Sequence, residues 1–479
     1  MNKTLFLCLA LLSLFSCVNR NPNLPKKQFQ AALDSLQIIE QSYLPSGSSS
    51  YDPKNIPEGT RYFPVRQKNP PPIRIDFVEG INHVKETPLS EIASEILHVK
   101  LEYQTWMQFP ISDISLTDEG FLVRGRLDGF SLFDFDGKFI RQIISTKHNA
   151  HFPRPGRKIF TWDEFEGVTD GWYNPATHQL MCFAMSYDGK TFRQPNTGFA
   201  IVEMNQISTG EIPSIGLSEK QIPLSGLGIT HLSEKMPLGF GNGFAVIHFE
   251  TPSGKECITF GLYGDTLCRF PIHSEIERPY KDKSANIPPA EAHYYYNNTY
   301  TFRYLYNDTV FRIPAPNVIQ PAYIFDFGKY RLTPQAVFER PNELMDYMMC
   351  SAVCEDNQYI YVRFCKGLNS PNNREKGKVK FWWGLYHKSS GRFSVLPINT
   401  SDPDKGGITN DLDGGMPFWP QSVDAQGRKI ALTRGEVIRK TLTNDWFARS
   451  KAADPEKKDQ LKRMVNTLTD DDWVVTVVR

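Results

Sequence analysis

The sequence predicts an all-β fold, a six-bladed β-propeller of four-stranded antiparallel blades, and three observations carry that prediction. Beyond Ile73 the apolar period is two, turn residues break β-branched and aromatic runs for hundreds of positions, and a four-run unit recurs in weaker form along the chain. The clearest unit is Ile111–Leu116, Gly120–Arg126, Phe130–Phe135 and Phe139–Ile143, with Asp136-Gly137 suited to a type I′ turn between the last two runs. Four antiparallel strands joined by tight turns make one blade. Weaker versions fall at 180–204, 243–271, 300–327, 359–396 and 419–433, which brings the expected count to six.

The two ends read differently. Met1 to Cys17 has a basic start at Lys3, a short apolar run and Ser16 before Cys17, the layout of a signal peptide whose cysteine takes lipid. The apolar run falls short of the roughly 20 residues that span a bilayer. Residues 1–16 are therefore expected as a leader, and 17–72, rich in Pro, Asn, Ser and Gly, as a lipidated tether. Within the tether Phe29, Ala32, Leu33, Leu36, Ile39 and Tyr43 have helical spacing, so a short helix is expected over 26–43. Residues 73–479 remain for the propeller. At the far end Asp454-Pro455 opens a helix with Leu461, Met464, Val465 and Leu468 on one face, and Trp473 to Val478 reads as a last strand. That strand should close the ring by pairing with Ile73–Phe77 or with Ile96–Leu101.

The chain resembles the six-bladed β-propeller lipoproteins of Bacteroides-type bacteria, which are distantly similar to NHL-repeat propellers. The resemblance rests on Ile114–Ile143, on Leu305–Arg312 with Ile324–Tyr330, and on Asn410–Pro420, together with the lipobox. It implies fold and location more than activity: an outer-membrane lipoprotein of the cell envelope. The absence of acids in Val18-Asn19-Arg20-Asn21 points to the periplasmic side. One departure is the stretch 145–156, which stands where such proteins carry a Gly-rich loop ending Gly-Pro-Gly-Glu.

Charge excludes one class of partner. The formal net charge is +1, and a leader that holds Lys3 and no acid leaves the mature chain neutral, without a basic tract for nucleic acid. Among candidate ligand contacts, His148 and His151 fall on a basic stretch read as a loop, and Trp162, Asp163, Glu164, Glu166 and Trp172 could form an aromatic and acidic sugar-binding rim. Asn410, Asp411 and Asp413 beside Gly414-Gly415 offer hard oxygens for calcium, but lack the distal glutamate of an EF-hand; the alternative is a turn whose side chains bond their own backbone. Cys350, Cys354 and Cys365 fit neighbouring strands better than a metal cluster, and Trp382-Trp383 must face opposite sides of one strand. No catalytic motif stands at a sensible position, and no cofactor is expected. The expected function is a membrane-tethered, non-catalytic scaffold for a protein, peptide or glycan; the alternative is a carbohydrate-active enzyme with carboxylates at the propeller mouth.

Overall fold

Turn chemistry decides where each run of apolar residues folds back on its neighbour. In the computed structural model the chain divides into two compact units, Met1–Asp52 and Pro53–Arg479. The structure describes residues 64–67, 70–108, 111–125, 129–144, 147–151, 161–174, 178–188, 196–204, 221–223, 238–241, 244–251, 254–261, 266–272, 292–297, 299–304, 307–339, 346–367, 379–397 and 406–479. The expected leader, Cys17 and the helix over 26–43 lie outside them.

Among the described residues the strands form six small sheets. Sheet 1 is Ile111–Leu116, Phe121–Gly125, Gly129–Phe133 and Phe139–Ile144. Sheet 2 is Lys147–His151, Thr161–Asn174, Gln179–Asp188, Asn196–Glu203 and Gln221–Pro223. Sheet 3 is Leu238–Gly241, Phe244–Thr251, Gly254–Gly261 and Thr266–Ile272. Sheet 4 takes Ala292–Tyr296, Thr299–Arg303, Thr309–Ala315 and Val318–Asp326, and sheet 5 takes Met348–Glu355, Tyr359–Lys366, Lys380–His387 and Arg392–Val395. Sheet 6 orders Ser422–Val423, Lys429–Arg434 and Trp473–Val478, then Ile96–Lys100 from the other end of the sequence.

Each sheet touches the next, and sheet 6 touches sheet 1, chiefly through first strands, which therefore lie nearest the axis. This is a β-propeller arrangement. The expectation of uniform four-stranded antiparallel blades needs correction. Five sheets are wholly antiparallel, one of them with five strands, whereas sheet 4 adds Val65–Arg66 and Ile73–Asp76 in parallel to its outermost strand. A parallel partner leaves no tight-turn signal because its connection is long. The strand Val65–Arg66 thus lies before Ile73, inside the stretch read as tether.

From there the chain runs as a strap across the outer edges of successive sheets. Arg74 binds Asp326, and Asp76 caps the short helix Phe77–Gly80. Phe77 is fully buried against Phe327, Phe393, Phe364 and Phe325, with ring centroids 4.5 to 5.2 Å away. Gly80 is required there, since a Cβ would stand 2.1 Å from the Phe393 ring. Val84 then bridges to Val395 of sheet 5, Pro88 to Thr409, and Ile96–Lys100 joins sheet 6. The last strand pairs with this second of the two expected N-terminal segments, with Val475 opposite Val99 and Thr476 opposite His98.

The turn after Phe133 differs from expectation. Gly137 N–H donates to Asp134 O at 3.0 Å, Asp134 N–H donates to Lys138 O at 2.9 Å, and Gly137 takes a φ of +82°. The Asp134 side chain explains the difference: its Oδ1 accepts from Asp136 N–H and Lys138 N–H at 3.0 and 2.8 Å. An Asx-stabilised turn followed by one left-handed glycine replaces the type I′ pair.

Both faces of sheet 5 are buried, as the tryptophan pair predicts. Trp383 packs with Ile408 and Phe418 in the cluster shared with sheet 6, whereas Trp382 stacks on Phe364 at 5.4 Å in the cluster shared with sheet 4. Cys350, Cys354 and Cys365 are buried on two adjacent strands. Beyond sheet 6, helices Gly435–Thr441, Asn444–Arg449 and Pro455–Val465 pack around Ile438, Phe447, Leu461 and Leu468. Asp454 caps the last helix through the N–H groups of Glu456 and Lys457, with Pro455 at its first turn.

Candidate functional site

Two side-chain clusters stand where sheets meet near the axis. The first joins sheets 1, 2 and 4. Asp113 and Arg124 lie opposite each other on the first two strands of sheet 1. Alternation turns them away from Ile114 and Val123, which fill the core shared with sheet 6. Trp172, near the end of the long strand of sheet 2, lies with its ring 5.6 Å from the Arg124 guanidinium carbon. On its own strand Gly171 leaves room for Phe130, whose ring a Cβ would meet at 2.7 Å. His293, on the first strand of sheet 4, stacks on Trp172 with centroids 5.1 Å apart and planes at 20°. Sheets 2 and 4 are not neighbours in the ring, so this stack bridges the axis.

The electrostatics of this cluster are those of a recessed site. His293 opens to solvent yet is enclosed by protein, and that enclosure, with the Arg124 charge, brings its pKa down to about 4. It is therefore a neutral imidazole at ordinary pH. Burial raises the Asp113 pKa, against the opposing pull of Arg124 and of the Ile114 N–H. An indole face, a neutral imidazole, a guanidinium and one perturbed carboxyl suit a neutral or polar ring-bearing ligand.

The second cluster locks sheets 4, 5 and 6 together. The Glu355 carboxylate is fully buried; it accepts from Arg312 and Lys388 at 2.6 Å each, from Tyr323 OH at 2.7 Å and from Tyr294 OH at 2.9 Å. The Tyr296 ring lies against both cations, 3.7 Å from Lys388 Nζ and 4.6 Å from the Arg312 carbon. Next in sequence, Asp356 accepts from Tyr361 OH at 2.8 Å and pairs with Lys429 of sheet 6 at 3.0 Å. Each oxygen of Glu355 holds a donor, so the carboxylate joins sheets 4 and 5.

Of the residues singled out from sequence, Trp172 stands in the axis cluster. His148 and His151 lie on the strand Lys147–His151 of sheet 2 and not on a loop; His148 pairs with Phe165, and Ala150 between them with Trp162. The polar run 147–151 gave no apolar period to mark a strand. Trp162, Asp163 and Glu166 likewise occupy the strand Thr161–Asn174, described there by backbone alone, and not a blade loop. Trp162 lies ten positions before Trp172 on that strand, roughly 33 Å along an extended backbone.

Asp411 and Asp413 turn to protein partners. Asp411 accepts from the N–H and hydroxyl of Ser90 at 2.9 and 2.6 Å, pinning the strap. Asp413 binds His98 Nε2 at 2.7 Å, Asn410 Nδ2 at 2.7 Å and Gly415 N–H at 2.8 Å, while His98 Nδ1 meets Thr476 Oγ1 at 2.9 Å. Among the described residues no group of three His, Cys, Asp or Glu is placed to hold a metal. The aromatic pin of this loop is Phe418, buried and paired through its backbone with Ile408, with Trp419 half-buried against Tyr361. Burial by itself would raise the Asp413 pKa; the bonds from His98, Gly415 and Asn410 outweigh it and hold the value below the ordinary 3.8. A depressed folded pKa gives stability that is present above 3.8 and lost as pH falls through the folded value. Asp413→Asn should therefore lower the urea midpoint at pH 7, and its deficit should shrink below pH 4. A deficit constant down to pH 3 would contradict this.

Asp113, Arg124, His293, Glu355, Asp356, Lys388 and Lys429 were not legible as a site. Their only sequence signal is charge or histidine inside otherwise apolar strands, as in Cys354-Glu355-Asp356.

Sheets in ring order with charged and aromatic groups gathered at their inner edges define the class of β-propeller proteins. Within it the chain belongs to the family described as a domain of unknown function, DUF4933, whose model matches residues 57–444. An exported protein of Bacteroides fragilis NCTC 9343 is 13% identical, with a TM-score of 0.50 over 85% of this chain and 99% of that one. That likeness shows the fold alone. A member of the DUF4221 family from Bacteroides vulgatus ATCC 8482 follows at 10% identity and TM-score 0.40, covering 83% of this chain and 98% of that one. A virginiamycin B lyase from Staphylococcus aureus reaches 12% identity and TM-score 0.27, over 64% of this chain and 89% of that one. No curated protein matches the chain. No helix among the described residues is long and apolar enough to cross a membrane.

Proposed function

We propose that this protein is a lipid-anchored envelope lipoprotein, NHL-like, with its six sheets as six blades, whose propeller binds a glycan at the axis without cleaving it. The observation that carries the reading is the Trp172–His293 stack beside Arg124, since a partly exposed aromatic stack with fixed polar groups suits a sugar ring. A second observation favours binding over cleavage. A glycosidase needs two working carboxyl groups about 5 to 9.5 Å apart, and the buried acids near the axis, Glu355 and Asp356, are already tied to Arg312, Lys388 and Lys429. The carbohydrate-active alternative keeps one specific support, the raised pKa of Asp113. The leader and Cys17 support the anchor, with the outer membrane, periplasmic face, as its place.

Two variants test the reading. Cys17→Ser should move the protein from the membrane fraction to the soluble periplasmic fraction, because stable anchoring depends on acyl chains; unchanged partition would sink the anchor. Trp172→Ala should weaken binding to oligosaccharides released from the cell's own envelope by about tenfold, the 1.4 kcal/mol scale of one aromatic stack. Undiminished binding would remove the axis from the proposal.

A further inference from the structure

A second recognition element lies away from the axis, in the seam where the ring closes. Between sheets 6 and 1 is a cleft of about 310 Å³, walled by Leu97, Val477, Leu116, Phe121 and Phe135. Leu97 and Phe135 are 51% and 44% exposed, two of the most exposed large apolar side chains among the described residues. A single exposed leucine is ordinary, but two such residues on one concave wall form a patch.

Phe135 is the informative residue, because the turn that carries it occurs twice. Asp134-Phe135-Asp136-Gly137-Lys138 and Asp424-Ala425-Gln426-Gly427-Arg428 share every backbone feature. Gly137 and Gly427 N–H donate to the first aspartate's carbonyl at 3.0 Å, and that aspartate's Oδ1 accepts from the third and fifth N–H groups. Both glycines hold positive φ, +82° and +78°. Aspartate and glycine thus make the turn, and its second position is unconstrained: alanine serves in one copy, and phenylalanine stands exposed in the other. Phe135 leans on Phe121 edge-on at 5.8 Å and presents its remaining face to the cleft.

The mouth of the cleft defines what it accepts. Arg479 is paired with Glu95 at 2.5 Å, Lys457 stands 3.8 Å from the same carboxylate, and Arg428 is paired with Asp424 at 2.6 Å. Lys457 does not line the cleft, and the three charged residues that do, Glu95, Arg428 and Arg479, each have an opposite partner within the chain, so a charged occupant would have to draw its counter-charge from one of these pairs. An apolar floor of this size inside a paired polar rim is the anatomy of a hot-spot pocket for a protein partner. At 310 Å³ it lies at the lower end of the range for ligand pockets, room for one large side chain.

We propose that the closure seam is a docking pocket for one neutral, bulky apolar side chain of a polypeptide partner, anchored between Phe135 and Leu97. The pocket is independent of the axial cluster, so either can fail alone.

The test is methyl NMR of the whole protein with N-acetyl-tryptophanamide as probe. Leu97, Leu116 and Val477 methyls should shift along a saturable curve, and Phe135→Ala should weaken that curve at least tenfold while moving the melting temperature by no more than about 2 °C, as for an exposed turn position. N-acetyl-glutamate, charged and short, should leave these methyls unmoved. Equal shifts with both probes, an unchanged curve in Phe135→Ala, or tighter binding of decanoate than of the tryptophan amide would each overturn the proposal, the last in favour of an acyl ligand. Concentration-dependent shifts of the same methyls without probe would overturn it in favour of a second copy.

Discussion

Deleting residues 470–479 is expected to produce a chain that aggregates at growth temperature and shows no cooperative melting transition. The deleted strand is the middle partner in sheet 6, between Lys429–Arg434 and Ile96–Lys100, so its loss opens two strand edges at once. Val474, Val475 and Val478 are completely buried, and Trp473 Nε1 donates to Met107 O at 3.1 Å, so the apolar surface of sheets 1 and 6 is exposed with the edges. The strap loses its terminus too, since Glu95 and Arg479 exchange backbone bonds at 2.9 and 3.0 Å. Size-exclusion chromatography and calorimetry of the truncated chain decide the matter. A monomer with the wild-type melting temperature would mean that the ends do not close the ring. The single change Val475→Asp, which places an unpaired charge at a fully buried site, should give the same result in milder form.

Glu355→Ala is expected to be the most destabilising point substitution near the axis. It leaves Arg312 and Lys388 facing each other across Tyr296 with no anion between them, and two phenol groups without an acceptor. Breaking a buried ion pair by removing one partner costs about 3 to 5 kcal/mol, a large share of the 5 to 15 kcal/mol that holds a typical protein folded. The remedy distinguishes charge from shape: Glu355→Leu with Arg312→Met and Lys388→Met should recover much of the loss, because no charge is then left buried alone. Urea midpoints of the single and triple variants are the measurement. A triple variant less stable than Glu355→Ala would show that the cluster contributes more than mutual neutralisation.

What the sequence made legible follows from range of interaction. The last strand, the Asp454-Pro455 cap, the opposed faces of Trp382 and Trp383, and the four runs of sheet 1 are set by residues within a few positions of one another, so period and turn residues reveal them. Ile73–Asp76 carries the period of a strand, but its parallel partner lies some 250 residues away in sheet 4 and not in the last strand, and Val65–Arg66 leaves no local mark at all. Lys147–His151 escaped because its residues are polar on both faces, and Ala292–Tyr296 because its tyrosines alternate with nothing. The axis cluster escaped for a deeper reason. Asp113, Arg124, Trp172 and His293 come together only once three sheets stand in ring order, and a charged residue in a strand looks the same whether it faces solvent, a neighbour or the axis. Trp172 stands out in the sequence for its company with Trp162 and the acids nearby, whereas its contacts at the axis are with Arg124 and His293 of other sheets.

The most direct test of an axial site that binds and does not cleave is to mix the purified protein with oligosaccharides from its own envelope, following tryptophan fluorescence and product mass together. A saturable fluorescence change, absent in Trp172→Ala, with every oligosaccharide mass unchanged after prolonged incubation, is the predicted result. Cleavage products that form with the wild type and vanish with Asp113→Asn would contradict it, and would make the raised carboxyl of Asp113 the acid of an enzyme.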